Sequence, residues 1–442
     1  MTTNSSAHKT NIPVSPDYKW AAVGMLWFIC FFNYADRMAV SAIFPLLKAE
    51  YNFNTEELAL IAIAFTWVYA ATAPFAGQMS DRFPRKPIIL GGLLIWSIVT
   101  GFTSICSKVW HFVLVRGSEG LGETFYFPAS MSLVSDYHDR TTRSRAMSIH
   151  QTGVYAGTVG GSALAGYLGL HYGWRTPFVL FAICGVVLTL VLNRFLLEPR
   201  RNAAERALEK VPEEAVPPTP IPMLTFLAEW ARTPTAVILL LAFFSANFVA
   251  YIFLTWMPTF LNEKFHQDVA KAAFGGTVFI QVASMIGASF GGVLADRWSR
   301  LTPGGRILSQ ALGALLGAPF IFLCGSTHDL GRLALWMTMF GLSKGLYDAN
   351  IWASLYDVVP PSRRAAAVGL MNMVGWFGAG LGTWLIGRLT TRGMSMSAAI
   401  SGTAGIYVFV ACLMLAAGFF FAPRDIKRAR NLDESWAELT RY

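Results

Sequence analysis

Twelve long apolar runs follow one another along this chain, and each has the length of a helix that crosses a lipid bilayer. About 20 apolar residues span the hydrocarbon core, and inside it only helices and closed barrels satisfy every backbone hydrogen bond. The charged fraction is 14%, well below the ~25% typical of soluble domains. The sequence therefore predicts an all-α integral membrane protein. Its predicted spans, numbered 1 to 12 in chain order, are 20–45, 58–80, 87–106, 109–134, 146–170, 177–197, 236–260, 272–295, 306–326, 333–357, 365–389 and 400–422.

One long polar segment, residues 198–235, separates spans 6 and 7 and is rich in Arg, Glu and Pro. We therefore predict two six-helix bundles, 20–197 and 236–422, joined by this linker. The terminal segments 1–19 and 423–442 are predicted to be polar tails, and the first of them has no apolar signal region.

The basic residues are sorted by side of the membrane. Of the 35 Lys and Arg residues, 24 fall on the side that carries both termini and the linker, 8 fall on the other side, and 3 lie inside spans. By the positive-inside rule the first side is cytoplasmic. We expect a multi-pass protein of an inner or plasma membrane. The net charge of +9 reflects this sorting, and no nucleic-acid partner is expected.

The two halves of the chain repeat one another. The pattern Gly-x-x-x-Asp-Arg-x-x-Arg follows span 2 and recurs 215 residues later, after span 8; an Asp and an Arg after span 4 recur 221 residues later, after span 10. Parallel repeats of this kind are typical of alternating-access transporters. Ion pairs in these loops are predicted to close the cytoplasmic side, the alternative being purely topogenic basic loops. The predicted gating residues are Gly77, Asp81, Arg82, Arg85, Asp136, Arg143, Asp296, Arg297, Arg300, Asp357 and Arg364.

The doubled loop motif resembles that of the major facilitator superfamily, and the resemblance covers nearly the whole chain. Within that superfamily, segments 33–37, 116–128, 251–261 and 359–372 resemble the anion:cation symporters. This resemblance implies a twelve-helix fold, rocking of one bundle against the other, and transport of sugar acids or other carboxylates with protons.

Three segments also resemble the spinster-type lysolipid transporters. They are 33–37 in span 1, 81–86 in the loop after span 2, and 96–100 in span 3. This second resemblance leaves a carrier of lysophospholipid or another amphiphile as the alternative, with a mostly apolar cavity.

Ionisable residues within the spans are few. Each costs about 2.5 to 3.5 kcal/mol at the centre of an inserting helix, so such residues mark functional sites by default. We expect them to meet in one aqueous cavity halfway across the bilayer. They are Asp36, Arg37, Arg116, Glu119 and Glu123 in the first half and Lys344 and Asp348 in the second.

Proton coupling needs a buried carboxyl that exchanges its proton near neutral pH. Burial favours the neutral form of a carboxyl, and a neighbouring Arg favours the charged form. Asp36 beside Arg37, and Glu123 on one helix face with Arg116, fit this role. Glu119 is a third candidate that could instead simply neutralise Arg116. A permanent ion pair between spans 1 and 4 is the alternative for Asp36 and for Glu123.

A carboxylate substrate needs a cation, and Arg offers a planar two-pronged donor where Lys offers a compact charge. Arg37 is the first choice and Lys344 the second, although Lys344 could be held by Asp348. Further substrate-binding candidates, each of which could equally be a packing residue, are Tyr34, Arg116, Gln151, Tyr155, Asn247, Tyr251, Trp256, Tyr347 and Asn372.

The sequence thus predicts a monomeric, proton-coupled symporter of a small organic anion that needs no cofactor or metal. It contains no nucleotide-binding loop, HExxH, GxSxG or zinc-spaced set, which argues against ATP-driven transport and against an enzyme. A non-transporting sensor on this fold is a third possibility, but the tails offer little room for a signalling domain.

Overall fold

The structure is a computed structural model that describes residues 16–138, 142–199, 223–360 and 363–429. Within these ranges the chain is helical and contains no strand. Each predicted span corresponds to one long helix or to successive helical segments. Spans 1 to 6 are Pro16–Ala42 with Phe44–Tyr51, Thr55–Arg82, Arg85–Thr103, Val109–Thr124 with Tyr126–Tyr137, Arg143–Tyr172, and Thr176–Phe195. Spans 7 to 12 are Pro234–Phe265, Val269–Leu301, Gly305–Ser326, Leu330–Asp348 with Ile351–Val358, Arg364–Thr391, and Met396–Gly402 with Ala404–Ala416 and the π-helical turn Ala417–Phe421.

Seven of the described helices are long and apolar enough to cross a membrane by length and composition, and they are spans 2, 3, 6, 7, 8, 9 and 12. Spans 1, 4 and 10 are interrupted instead, at Ile43, Phe125 and residues 349–350. These three spans carry the ionisable residues. Irregular backbone inside a membrane is tolerated where it is buried in protein or lines a cavity. The helix breaks and the ionisable residues both indicate that these three spans face the interior of the protein.

Close packing of span 5 on span 1 fixes the position of the charged segment. A Cβ atom on Gly161 would lie 2.2 Å from Ala35 Cα, and one on Gly157 would lie 2.3 Å from the Phe31 carbonyl oxygen. Real Cβ atoms do not approach other atoms this closely, so both positions require glycine. The contact buries the span 5 face of span 1, and Asp36 and Arg37 lie toward spans 2 to 4.

The two bundles contact each other where span 2 packs on span 11 and span 5 packs on span 8. We call the side of the bundle that carries the linker the linker side and the opposite one the far side. At the far side, Lys48 Nζ lies 2.6 Å from Glu263 Oε1, and Arg388 Nη1 lies 3.1 Å from Glu56 Oε1. Both pairs join residues of different bundles, so the far side is closed.

A short helix, Met223–Ala231, lies within the predicted linker 198–235, of which residues 200–222 are outside the described ranges. Its Phe226 and Trp230 side chains are buried, and Arg363 Nε lies 2.7 Å from Glu229 Oε2. The helix is therefore anchored to the second bundle.

Candidate functional site

Five buried charged side chains from spans 1 and 4 come together inside the first bundle. Arg37 Nε donates a 2.6 Å hydrogen bond to Glu123 Oε2, and Arg116 Nη1 donates one to Glu119 Oε2. All four of these side chains, and Asp36, are at most 3% exposed. The structure thus brings together the five ionisable residues that the sequence predicted for the first half.

Acids outnumber bases in this cluster. One carboxylate oxygen from each of Asp36, Glu119 and Glu123 lies within 4.8 Å of the others, and the two arginines can neutralise only two of the three. Asp36 forms no ion pair with any residue that the structure describes. Its Oδ1 and Glu123 Oε1 are buried without a hydrogen-bond partner in the described ranges. Burying a charged group without a hydrogen-bonded partner is costly.

Glu119 and Arg116 connect span 4 to two neighbouring spans. Thr100 Oγ1 of span 3 donates a 2.7 Å hydrogen bond to Glu119 Oε1. Arg116 Nη2 donates a long, 3.5 Å hydrogen bond to the Arg37 carbonyl oxygen in span 1. Glu119 therefore has a partner on each of its two oxygens.

Aromatic rings surround the Arg37 guanidinium. Four of them have centroids 4.6 to 5.1 Å from Arg37 Cζ, which is within the range of cation–π attraction. The Trp376 ring belongs to span 11 of the second bundle. Its centroid lies 4.8 Å from that of the Tyr69 ring and 5.1 Å from that of the Tyr251 ring. Arg37 consequently lies at the boundary between the bundles. The four rings are those of Tyr34, Phe65, Tyr69 and Trp376.

A small cavity of about 20 Å³ adjoins Arg37 and Arg116 at this boundary. A single water molecule needs a cavity of ~10–15 Å³, so this cavity is too small for an organic acid. Its lining also includes the hydroxyl-bearing residues Ser41, Thr66, Tyr251, Thr255 and Thr383 and the apolar residues Met38, Val40, Ala62 and Phe65.

The second predicted anion site lies in span 10. Lys344 Nζ donates to Asp348 Oδ2 of the same helix. Tyr155 of span 5 lies close enough to interact electrostatically with both charges. The Lys344 and Asp348 side chains are 16% and 34% exposed, whereas the side chains of the Arg37 cluster are at most 3% exposed.

The remaining predicted substrate-binding residues are distributed differently. Trp256 is fully buried, donates to the Thr383 carbonyl oxygen at 3.0 Å, and packs on Phe44 of the first bundle. Asn247 Nδ2 donates to the Phe243 carbonyl oxygen of its own helix at 2.8 Å. Tyr347 is 2% exposed. Gln151 and Asn372 are half-buried.

The predicted gating residues form ion pairs within each bundle. Arg85 Nη1 lies 3.0 Å from Asp136 Oδ2, and Arg306 Nη1 lies 2.9 Å from both oxygens of Asp357. Arg306 Nη2 also lies 3.7 Å from Asp296 Oδ1. The two pairs occupy equivalent positions in the repeat, because each joins the start of one span to the end of the next.

The other gating candidates have local contacts or face solvent. Arg143 Nε donates to the His138 carbonyl oxygen at 3.3 Å, and Arg364 Nη2 donates to the Tyr356 carbonyl oxygen at 3.0 Å. A Cβ on Gly77 would have no neighbour within 4 Å. The side chain of Asp81 is outside the described part of the structure. The exposed candidates are Arg82, Arg297 and Arg300.

Sequence reasoning missed several residues of the site. Arg306 carried a usable signal, since it follows Arg85 by the same 221 residues that separate Asp136 from Asp357. Thr100 and Trp376 carried none, because a lone Thr or Trp in an apolar span is usually a packing residue.

Comparison with known proteins identifies the family. The sequence profile of the Major Facilitator Superfamily matches residues 26–383. The chain belongs to this superfamily. Among curated relatives, "Protein spinster homolog 1" of Xenopus tropicalis is 26% identical over 92% of this chain and 81% of its own length. "Hexuronate transporter" of Bacillus subtilis (strain 168) is 23% identical over 87% of this chain and 90% of its own.

A solved structure gives the same fold. The crystal structure of a bacterial homologue of the human lysosomal transporter spinster, inward-facing and unoccupied, aligns with a TM-score of 0.76 at 20% identity, covering 94% of this chain and 99% of that one. The prediction of an all-α membrane protein with the superfamily's twelve-helix fold is thereby confirmed. The family and structural neighbours are transporters, so the prediction that the chain is not an enzyme is confirmed as well.

Proposed function

We propose that this superfamily member is a proton-coupled symporter of a small organic anion, a sugar acid or another carboxylate, in the inner or plasma membrane. The observation that carries the proposal is the buried Arg37–Glu123 ion pair at the bundle boundary, with the unpaired Asp36 beside it. The hexuronate transporter among its relatives supports the same substrate class.

In this mechanism, Glu123 and the substrate carboxylate compete for the Arg37 guanidinium, and this competition couples substrate binding to proton binding. Glu123 occupies Arg37 through the Nε atom, and Arg37 Nη1 has no hydrogen-bond partner among the described residues. When Glu123 takes a proton it loses its charge, and Arg37 becomes free to bind a substrate carboxylate with two parallel hydrogen bonds. The exchange leaves the net charge of the site unchanged, so each bound carboxylate requires one proton.

Asp36 completes the charge balance. If all three acids were ionised, the cluster would hold one uncompensated negative charge in a sealed interior, which is costly. A proton on Asp36 removes that charge. We therefore assign Asp36 and Glu123 as the proton-coupling residues, with Arg37 as the carboxylate ligand.

Alternating access follows from the distribution of ion pairs. The far side is closed by pairs that join the two bundles, Lys48–Glu263 and Glu56–Arg388, whereas Arg85–Asp136 and Arg306–Asp357 each lie within one bundle. Rocking the bundles apart at the far side breaks only the first set. In our proposal the linker side is cytoplasmic, and the protein works as a monomer.

A lysophospholipid or amphiphile carrier is the second candidate. An apolar groove of about 480 Å³ lies between spans 8 and 10 and is lined by Val282, Phe290 and Leu342, among others. This groove is separate from the charged cluster, whereas an anion symporter needs its site at the cluster. Because the groove does not include the charged cluster, we rank the lipid carrier second.

Uptake by proteoliposomes tests the proposal. We expect glucuronate, a hexuronate, to accumulate when an inward proton gradient is imposed. Glu123→Gln should abolish accumulation but retain exchange, because a neutral side chain leaves Arg37 permanently free. Glu57→Gln is the matched control, since Gln also completes the capping box that Glu57 forms with Asn54. The proposal is wrong if no carboxylate accumulates or competes, or if only lysolipid moves.

A further inference from the structure

The three acids of the cluster are not equivalent. Glu119 has a donor on each oxygen, Thr100 at 2.7 Å on Oε1 and Arg116 on Oε2. Asp36 Oδ1 and Glu123 Oε1, by contrast, have no hydrogen-bond partner among the described residues. Hydrogen bonds to the charged form of a carboxyl favour that form. Glu119 is therefore the acid whose two oxygens are both hydrogen-bonded.

Thr100 donates the hydrogen bond to Glu119 Oε1 that Arg116 does not provide. The Thr100 side chain is 0% exposed and reaches Glu119 from span 3. The Arg116 guanidinium always carries its charge, but its Nε has no hydrogen-bond partner in the described ranges, and its ion pair uses one Glu119 oxygen. Without the Thr100 hydroxyl the second oxygen of Glu119 would be buried and unsatisfied.

With Glu119 and Arg116 set aside as a neutral pair, the rest of the cluster has a simple charge balance. Two acids, Asp36 and Glu123, then remain for one base, Arg37, which pairs with Glu123. One proton is needed to make the group neutral, and the two carboxyls that can hold it are the two with unpartnered oxygens.

We propose that Thr100 is a positioning residue that holds Glu119 ionised against Arg116 and so confines the exchangeable proton to Asp36 and Glu123. The inference rests on the proposed proton coupling and assigns Glu119 a structural place within it. Glu119 is then not a proton carrier.

The surroundings add few other titratable groups. Span 1 contributes Asp36 and Arg37, and span 4 contributes Arg116 and Glu123. Arg37 also has Cys30 and Tyr34 of span 1, Tyr69 of span 2 and Tyr251 of span 7 near it, and Cys184 of span 6 lies near Asp36. Hydroxyls and thiols that are neutral at neutral pH do not compete for the proton, so a change in proton binding reports on the three carboxyls.

The test is a pH titration of the purified full-length protein in detergent, followed by intrinsic tryptophan fluorescence. Trp376 lies over Arg37 and senses the charge of the cluster. The component that disappears in the double variant Asp36→Asn/Glu123→Gln is the titration of the cluster. In Thr100→Val the ionised form of Glu119 loses a hydrogen bond, so Glu119 competes for the proton. The midpoint should move to higher pH by about one unit.

Two controls separate this effect from loss of packing. Thr100→Ser retains the hydroxyl and should keep the wild-type midpoint. Thr103→Val changes a second buried threonine of the same span, whose hydroxyl has no partner among the described residues, and should also leave the midpoint in place. If Thr100→Val does not fold, Thr100→Ala serves in its place.

A double variant identifies the partner. In a Glu119→Gln background, Thr100→Val should no longer move the midpoint, because the carboxylate that the hydroxyl serves is gone. A Thr100→Val midpoint equal to that of wild type, or a wild type without a cluster component between about pH 5 and 9, would overturn the inference. Failure of the proposed function shows separately, as absence of proton-driven carboxylate accumulation by wild-type proteoliposomes.

Discussion

Arg37 and Glu123 form a buried 2.6 Å ion pair that joins spans 1 and 4, and the Trp376 ring of the second bundle lies 5.1 Å from Arg37 Cζ. The pair is internal to the first bundle, yet one of its members contacts the second bundle. In the mechanism that we propose, a change in the charge of Glu123 would alter both the availability of Arg37 and the contact between the bundles.

Replacing Arg37 by Lys should weaken substrate binding without unfolding the protein. Lys keeps a positive charge for Glu123 but loses the planar fork that binds both oxygens of a carboxylate. A hydrogen bond to a charged group contributes about 1.5–3 kcal/mol, so we expect KM for glucuronate uptake to rise roughly 10- to 100-fold. An unchanged KM would show that the carboxylate binds elsewhere, with Lys344 the next residue to test.

Gly161→Ala should destabilise the first bundle. The added methyl group would lie 2.2 Å from Ala35 Cα, which belongs to the backbone and cannot move aside cheaply. Overpacking of this kind costs about 1–3 kcal/mol, and it should lower the melting temperature in detergent. Gly24→Ala on span 1 is the control, because nothing lies within 4 Å of its added Cβ and Ala favours helix. Equal melting temperatures for the two variants would contradict the packing seen here.

Arg306, and not Arg300, should support gating in the second bundle. Arg306 binds both oxygens of Asp357 at 2.9 Å, whereas Arg300 is exposed. Arg306→Gln removes a two-pronged ion pair and should reduce the uptake rate at saturating substrate, while Arg300→Gln should stay near the wild-type rate. The reverse order of the two variants would favour the register of the loop motif over that of the structure.

Arg300 and Arg306 show what the sequence can predict about the site and what it cannot. Hydrophobic runs as long as a bilayer is thick predict the spans. The charges inside them predict the cluster of the first half, whereas Lys344 and Asp348 form a pair of their own in span 10. The loop motif places Arg300 opposite Arg85 at an offset of 215, but the contact is made by Arg306 at an offset of 221. The arginine that contacts Asp357 thus lies six residues beyond the arginine of the loop motif. The local sequence pattern cannot show which of the two reaches the acid.

Contacts between spans were the other gap. Thr100 and Trp376 matter because of what they touch, and their partners, Glu119 and Arg37, lie on other spans. Residue type and helical spacing do not encode such contacts. The intramembrane charges, in contrast, carry a large desolvation cost wherever they lie, which is why the sequence alone could identify them.

Reversing the charge of Lys48 should shift the resting conformation toward opening at the far side. Lys48→Glu places a second acid beside Glu263 in a contact between the bundles. Because both side chains are about 40% exposed, the pair contributes only ~0.2–1 kcal/mol, so the open fraction should change by roughly 1.4- to 5-fold and less at high salt. Spin labels on the far-side ends of spans 1 and 7 would measure the distance distribution. The swap Lys48→Glu/Glu263→Lys should restore it, and an unaltered distribution in Lys48→Glu would show that this pair does not hold the far side closed.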